Sequence, residues 1–317
     1  MHRRELLGGA LGAGIAFGSR TGYGSQDQQG VGGDVFIERD QAGTPYKGKV
    51  LAAIQPHADD IPLFAAGTVA KLLREGYTGY LIRTTNDECA GPGSLGETVL
   101  ANERDNNELA RIMGFKQTFD LNCRNHRMDG DSALELRSRM IFLFRLLKVD
   151  TVVCYDPWGH YEENPDHYVT AACVEAACWM AAGGKDYPEH LAAGLKPHAV
   201  REKYYFARGP QWVTRIVDIG SCIENKIDAM LANQAQGPAG NAGARLRASL
   251  AARKLKLPQL GGDDTTANRE YIRNFLLKRE EETGLRYGLK YAEAYHYIGP
   301  ESSDTLEAFI RQNAVPL

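Results

Sequence analysis

Apolar and polar positions follow two rhythms along this chain. Residues 49–55, 79–85, 118–121 and 151–155 form short, largely apolar runs, the pattern of strands covered on both faces. Between them, residues 61–76, 97–114, 132–148 and 166–182 carry helix-like spacing. This alternation predicts βαβ units in an α/β fold, with an open, mostly parallel, Rossmann-like sheet and helices on both faces. Farther on, 202–207 and 212–219 read as strands, and 223–234 and 269–279 as helices. The turn-rich stretches 236–243 and 260–267 read as exposed loops. The expected organisation is a single domain over 46–300 with C-terminal decorations and a tail at 301–317.

The start of the chain has a different character. Arg3-Arg4 and Leu6-Leu7 precede a Gly/Ala-rich apolar segment, so residues 1–24 read as an export signal of the twin-arginine type. A periplasmic or extracellular destination is therefore expected, with 25–45 as a linker. Composition adds exclusions. With 317 residues and a net charge of −3, the chain shows no basic stripe for a nucleic-acid partner. It has no apolar run near the roughly 20 residues of an integral membrane span. Six cysteines without a C-x-x-C pair argue against a zinc knuckle, and buried free thiols are the default reading.

Candidate chemistry collects where predicted strands end. His57-Ala58-Asp59-Asp60 follows the first strand, and the C-terminal edge of an open α/β sheet is where ligands bind. His57 and Asp60, three apart, can converge on one cation, which leaves Asp59 free to take a proton. A second group, Asp156-Pro157-Trp158-Gly159-His160 running to Asn164-Pro165-Asp166-His167, follows the strand at 151–155 and shares that edge. Asn164 and Pro165 also make a good helix start, so capping competes with a ligand role for this segment.

Together, His57-Ala58-Asp59-Asp60, Ala66-Gly67-Thr68 and Pro165-Asp166-His167 resemble the signatures of the PIG-L (LmbE-like) zinc-dependent N-deacetylases, with a weaker echo at Ala292-Glu293-Ala294-Tyr295. Ala58 stands where the family usually has Pro, Ala66 where it has Gly, and Asn164 where it has His. The resemblance spans roughly residues 48–235. It implies an LmbE-like fold, His57, Asp60 and His167 as Zn2+ ligands, and Asp59 as general base on the zinc-bound water. It further implies removal of an acyl group from an N-acylated amino sugar or related amide, a small-molecule or glycan partner. Asn164 can donate a hydrogen bond to the oxyanion but cannot carry a proton. Either Asp59 returns its own proton to the leaving amine, the reading we favour, or His160 fills the gap. Arg104, Asp87, Glu88, His126 and Trp158 are candidate substrate contacts. The rival readings are a metal-dependent phosphoesterase and a non-catalytic metal or carbohydrate-binding module. Substrate and oligomeric state are not legible, and a His₂Asp set does not by itself select zinc over another divalent ion.

Overall fold

The computed structural model describes residues 35–299 and 304–315. The export-like segment at 1–24 lies outside the described residues. In chain order the elements are β1 (Phe36–Glu38), β2 (Val50–Gln55), α1 (Asp60–Phe64), α2 (Ala66–Arg74), β3 (Thr78–Thr85), α3 (Leu95–Met113), β4 (Gln117–Cys123), α4 (Ala133–Leu147), β5 (Thr151–Tyr155) and α5 (Pro165–Ala181). They continue with α6 (Pro188–Ala192), β6 (Glu202–Phe206), β7 (Arg215–Asp218), α7 (Ile223–Ala232), α8 (Ala242–Ala252), α9 (Asp264–Tyr271), α10 (Lys278–Arg286), β8 (Ala292–Ile298) and α11 (Asp304–Asn313).

The eight strands form one sheet in the order β1-β7-β8-β6-β5-β2-β3-β4. All neighbours are parallel except β8, which runs antiparallel to both β6 and β7. The chain lays β3 and β4 on one side of β2, then returns to place β5 and β6 on the other. The gap between β2 and β5 is thus the topological switch point, where a crevice opens at the strands' C-terminal ends. Leu51 and Ile54 of β2 are fully buried, worth about 1.5–3 kcal/mol each in apolar burial. Arg145 of α4 donates to the carbonyls of Met180, Ala181, Gly183 and Asp186, tying α4 to the C-terminal end of α5.

The alternation predicts this architecture, but several boundaries differ. Residues 36–38, assigned to a linker, form β1 on the edge of the sheet, and buried Glu38 accepts from Lys71 Nζ at 2.9 Å. Three residues are too short a strand to show a period. The helix expected over 61–76 divides at Ala65 (φ −141°) into α1 and α2. Glu293 supplies the second N-terminus, its carboxylate accepting the Gly67 and Thr68 N–H groups at 3.1 and 2.8 Å. The strand expected over 212–219 is only Arg215–Asp218. β8 was read only as a motif echo, because Glu293 and His296 interrupt its apolar run. Residues 264–267 are helical rather than loop, with Ala267 fully buried, and the helix expected over 269–279 is divided between α9, a wide turn at Ile272–Leu276 and α10. The stretch 236–243 is not simply exposed, since Ala239 is buried and Gln236 lines the site described below. All six cysteines are free thiols.

Candidate metal centre and active site

The segment after β2 is held from three sides. The Thr85 N–H and hydroxyl both donate to the Pro56 carbonyl, at 3.1 and 2.7 Å. Asp87 Oδ2 accepts the Ala58 N–H at 3.1 Å, and Asn233 Nδ2 donates to the Ala58 carbonyl at 2.9 Å. Asp60 opens α1 and its Oδ2 accepts the His57 N–H at 2.8 Å, so the spacing of three becomes a closed turn. From the other side of the switch point, Asn164 caps α5, its Oδ1 accepting the Asp166 N–H at 3.0 Å, with Pro165 next. That cap fixes the first turn, which carries Asp166 and His167.

The two segments meet in a pocket of about 220 Å³ lined in part by His57, Asp59, Asp60, His126, Asn164, His167 and Arg208. His57 Nδ1 lies 3.0 Å from His167 Nε2 and 3.4 Å from Asp60 Oδ2, and His167 Nε2 lies 3.6 Å from Asp60 Oδ1. The far nitrogen of each ring faces a carboxylate: His57 Nε2 lies 3.0 Å from Asp166 Oδ2, and His167 Nδ1 lies 3.1 Å from Glu162 Oε1. Those carboxylates draw the ring protons to the far nitrogens, so two imidazole lone pairs face each other beside the Asp60 carboxylate. Such an arrangement needs a positive charge at its centre, which a cation, or a proton on His57 in its place, supplies. His57, Asp60 and His167 therefore fit a divalent cation, with Asp166 and Glu162 orienting the rings from behind. Tyr155 stacks on His167 with ring centroids 4.1 Å apart and donates its hydroxyl to Asp60 Oδ1 at 2.7 Å.

Electrostatics agree with the geometry. Burial opposes a carboxylate at Asp60, yet the neighbouring imidazoles of His167 and His57 and the Tyr155 hydroxyl outweigh it and bring the group down to about 2. Burial likewise opposes charge on His57, but Asp166 and Asp60 raise it well above the ordinary histidine value. Asp59 goes the other way, pushed up to about 7 by burial and then by the charge of Asp60. Asp59 and Asp60 line the pocket, Asp166 and Glu162 stand behind its histidines, and the single lining guanidinium, Arg208, pairs with Glu162. That excess of negative charge also suits a cation.

Asp59 stands beside the three donors and stays free of them. A Cβ built on Gly237 (φ 79°) would come 2.8 Å from Asp59 Oδ2, so the loop after α7 approaches closely only because that residue is glycine. Asn164 uses Oδ1 for the cap and keeps its Nδ2 donor for the pocket. Exposed His126 (φ 60°) lines the mouth, its N–H donating to Asp166 Oδ2 at 2.7 Å.

Other candidates lie elsewhere. His160 is exposed on the outer loop, its N–H held by the Pro210 carbonyl, and it does not line the pocket. Arg104 is exposed in a separate groove with Glu108, Asp228 and Leu231. Glu108, one turn farther along α3, pairs with Arg111. Asp87 is fully buried beneath the site between Arg83 and the Ala58 N–H, a support rather than a substrate contact. Glu88 pairs with Arg124, and Trp158 stands outside the pocket beside His296. Sequence reading missed Tyr155, Glu162, Arg208 and Gln236. A tyrosine ending an apolar strand at the switch point is a signal for the first. The others reach the pocket from loops that follow no period.

Fold and donor set define an open α/β chain with a candidate metal centre at its switch point. Comparison with known proteins sharpens the class: residues 52–178 match the PIG-L family, described as GlcNAc-PI de-N-acetylase. A diacetylchitobiose deacetylase of Thermococcus kodakarensis is 28% identical over 200 residues, covering 60% of this chain and 71% of the relative. Among solved structures, N,N'-diacetylchitobiose deacetylase from Pyrococcus horikoshii superposes with a TM-score of 0.63 at 22% identity, covering 81% of this chain and 88% of that one. GalB, the 4-carboxy-2-hydroxymuconate hydratase of Pseudomonas putida, superposes at 0.58 with 16% identity, covering 80% and 97%. At these identities the superpositions establish a shared LmbE-like fold, one that also carries a hydratase.

Proposed function

We propose that this chain is a metal-dependent N-deacetylase that removes an acetyl group from an N-acetylated sugar, with zinc as its cation, and that it acts outside the cytoplasm. The observation that carries the reading is the convergence of His57, Asp60 and His167 with Asp59 unliganded beside them. The PIG-L match over 52–178 and the relative named diacetylchitobiose deacetylase support the amide bond and the sugar. Export rests on Arg3-Arg4 and the apolar segment behind them.

His57, Asp60 and His167 would hold the cation, which when bound lowers the pKa of water and polarises a carbonyl. Asp59 takes the proton from the attacking water. Asn164 lines the pocket, and its Nδ2 is the donor we assign to the developing oxyanion, a role worth roughly 10²–10³ in rate. Asn164 has no proton to transfer and His160 is turned outward, so Asp59 returns its proton to the departing amine. Leu63 and Phe64 give the acetyl methyl an apolar wall. Against a phosphoesterase stands the charge of the pocket, with carboxylates grouped around one guanidinium that is already paired.

The test is acetate release from N,N'-diacetylchitobiose by chelated protein, with and without added zinc. Activity lost on chelation, restored by zinc and absent in His57→Ala is the expected result. Hydrolysis undiminished by chelation or by His57→Ala would refute the mechanism.

A further inference from the structure

Beside the pocket lies a second cluster that the deacetylation chemistry does not use. Asp156 follows Tyr155 at the C-terminal end of β5, and its carboxylate lies 3.3 Å from His296 Nδ1 of β8. Two tryptophans flank that imidazole, Trp158 with ring centroids 5.4 Å away and Trp212 at 5.3 Å. Both remain open to solvent, at 53% and 58% exposure, although each reaches its place through a well-held loop. Asp156 Oδ1 accepts the Trp158 N–H at 2.9 Å. Gln211, next to Trp212, donates its amide to the Tyr205 carbonyl at 2.8 Å. Leaving two large indoles in water on ordered loops forgoes apolar burial, so an occupant that covers them is expected.

The polar centre defines that occupant. With Asp156 accepting from Nδ1–H, His296 keeps its Nε2 lone pair as an acceptor, and Nε2 has no protein partner among the described residues. Flat indole faces around one fixed acceptor match a pyranose ring, whose C–H face packs on an aromatic while a hydroxyl donates alongside. The cluster is tied to the pocket through the chain. The loop from Asp156 leads into Asn164 and His167, and the loop bearing Trp212 also bears Arg208, which lines the pocket. The His160 N–H to Pro210 carbonyl bond at 3.0 Å and the Arg208–Glu162 pair join the two loops.

We propose that Trp158, Trp212 and His296 form a flanking subsite for a further sugar unit of an oligosaccharide whose N-acetylated residue occupies the metal pocket. The inference rests on the sugar-deacetylase reading and makes the substrate class a chain of sugars rather than a monosaccharide.

The chain has three tryptophans, and the third, Trp179, is exposed on α5, so intrinsic fluorescence reports on this cluster with an internal control. Titration of the zinc-loaded full-length protein with triacetylchitotriose and with N-acetylglucosamine should show tighter binding of the trisaccharide. In Trp158→Ala and Trp212→Ala that preference should fall by roughly fivefold each, while Trp179→Ala keeps it. Equal affinity for the two sugars in the wild type, or a preference that survives the double Trp158→Ala/Trp212→Ala change, would overturn the subsite. Acetate release is read separately: trisaccharide preference without deacetylation refutes the enzymatic reading and leaves the subsite standing.

Discussion

Two clusters of buried charge sit at opposite ends of α1, and they are resolved in opposite ways. At one end Glu293 accepts from Gly67 N–H, Thr68 N–H and the Tyr295 hydroxyl, and Lys226 Nζ reaches it at 2.8 Å. Lys226 also bonds the Leu63 carbonyl and pairs with Glu280. Both carboxylates there share the Lys226 ammonium, and the cluster's product is the position of α1 and α2. At the other end Asp60, His57 and His167 converge their ligand atoms beside a pocket, with no lysine or arginine of the chain paired to Asp60 among the described residues. A buried carboxylate paired with the chain's own lysine marks structure, whereas converging donors without one mark a place for a ligand.

Lys226→Ala separates the two most sharply. It strands Glu293 and Glu280 in the interior and should cost about 3–5 kcal/mol of stability, read as a lowered urea midpoint, while the folded fraction still binds zinc. Asp166→Asn works at the other cluster. It takes the negative charge from the group that orients His57, and zinc affinity by calorimetry should fall roughly 10–100-fold, with a smaller shift of the urea midpoint than in Lys226→Ala. Asn164→Ala acts on both accounts to a smaller degree, costing about 1 kcal/mol through the lost cap of α5 and slowing turnover through the lost pocket donor.

The smallest effect concerns pH. Burial would raise the Glu293 carboxyl, but Lys226 and the Thr68 donors outweigh it and hold it below the ordinary value. A depressed carboxyl contributes its full stability above the unfolded pKa of about 4.3 and loses it as pH falls through the folded value. The urea midpoint should therefore be insensitive to this group from pH 7 to 5 and decline below about 4. Glu293→Gln should lack that share of the decline.

The difference between the clusters explains how much the sequence disclosed. His57, Asp60 and His167 were legible because each stands within a short segment at a strand end, where spacing and topology alone place it. The Glu293 cluster was visible only as a motif echo, since its meaning depends on Lys226, 67 residues away. Arg208 and Gln236 reach the pocket by the same kind of long-range closure. His160 misled because its loop is sequence-adjacent to the site, while the Pro210 carbonyl bond holds it facing out. The mostly parallel sheet was foreseen from alternation, and β1 and β8 were not, one too short and one too polar to read as a covered strand.

The central claim is that Asp59 stands outside the ligand set and handles the proton. Asp59→Asn, with zinc content measured alongside acetate release from N,N'-diacetylchitobiose, tests it directly. The account predicts wild-type zinc stoichiometry with turnover reduced roughly 10²–10⁴-fold, the range of general acid–base contributions. Full activity in Asp59→Asn, or loss of zinc together with activity, would contradict it.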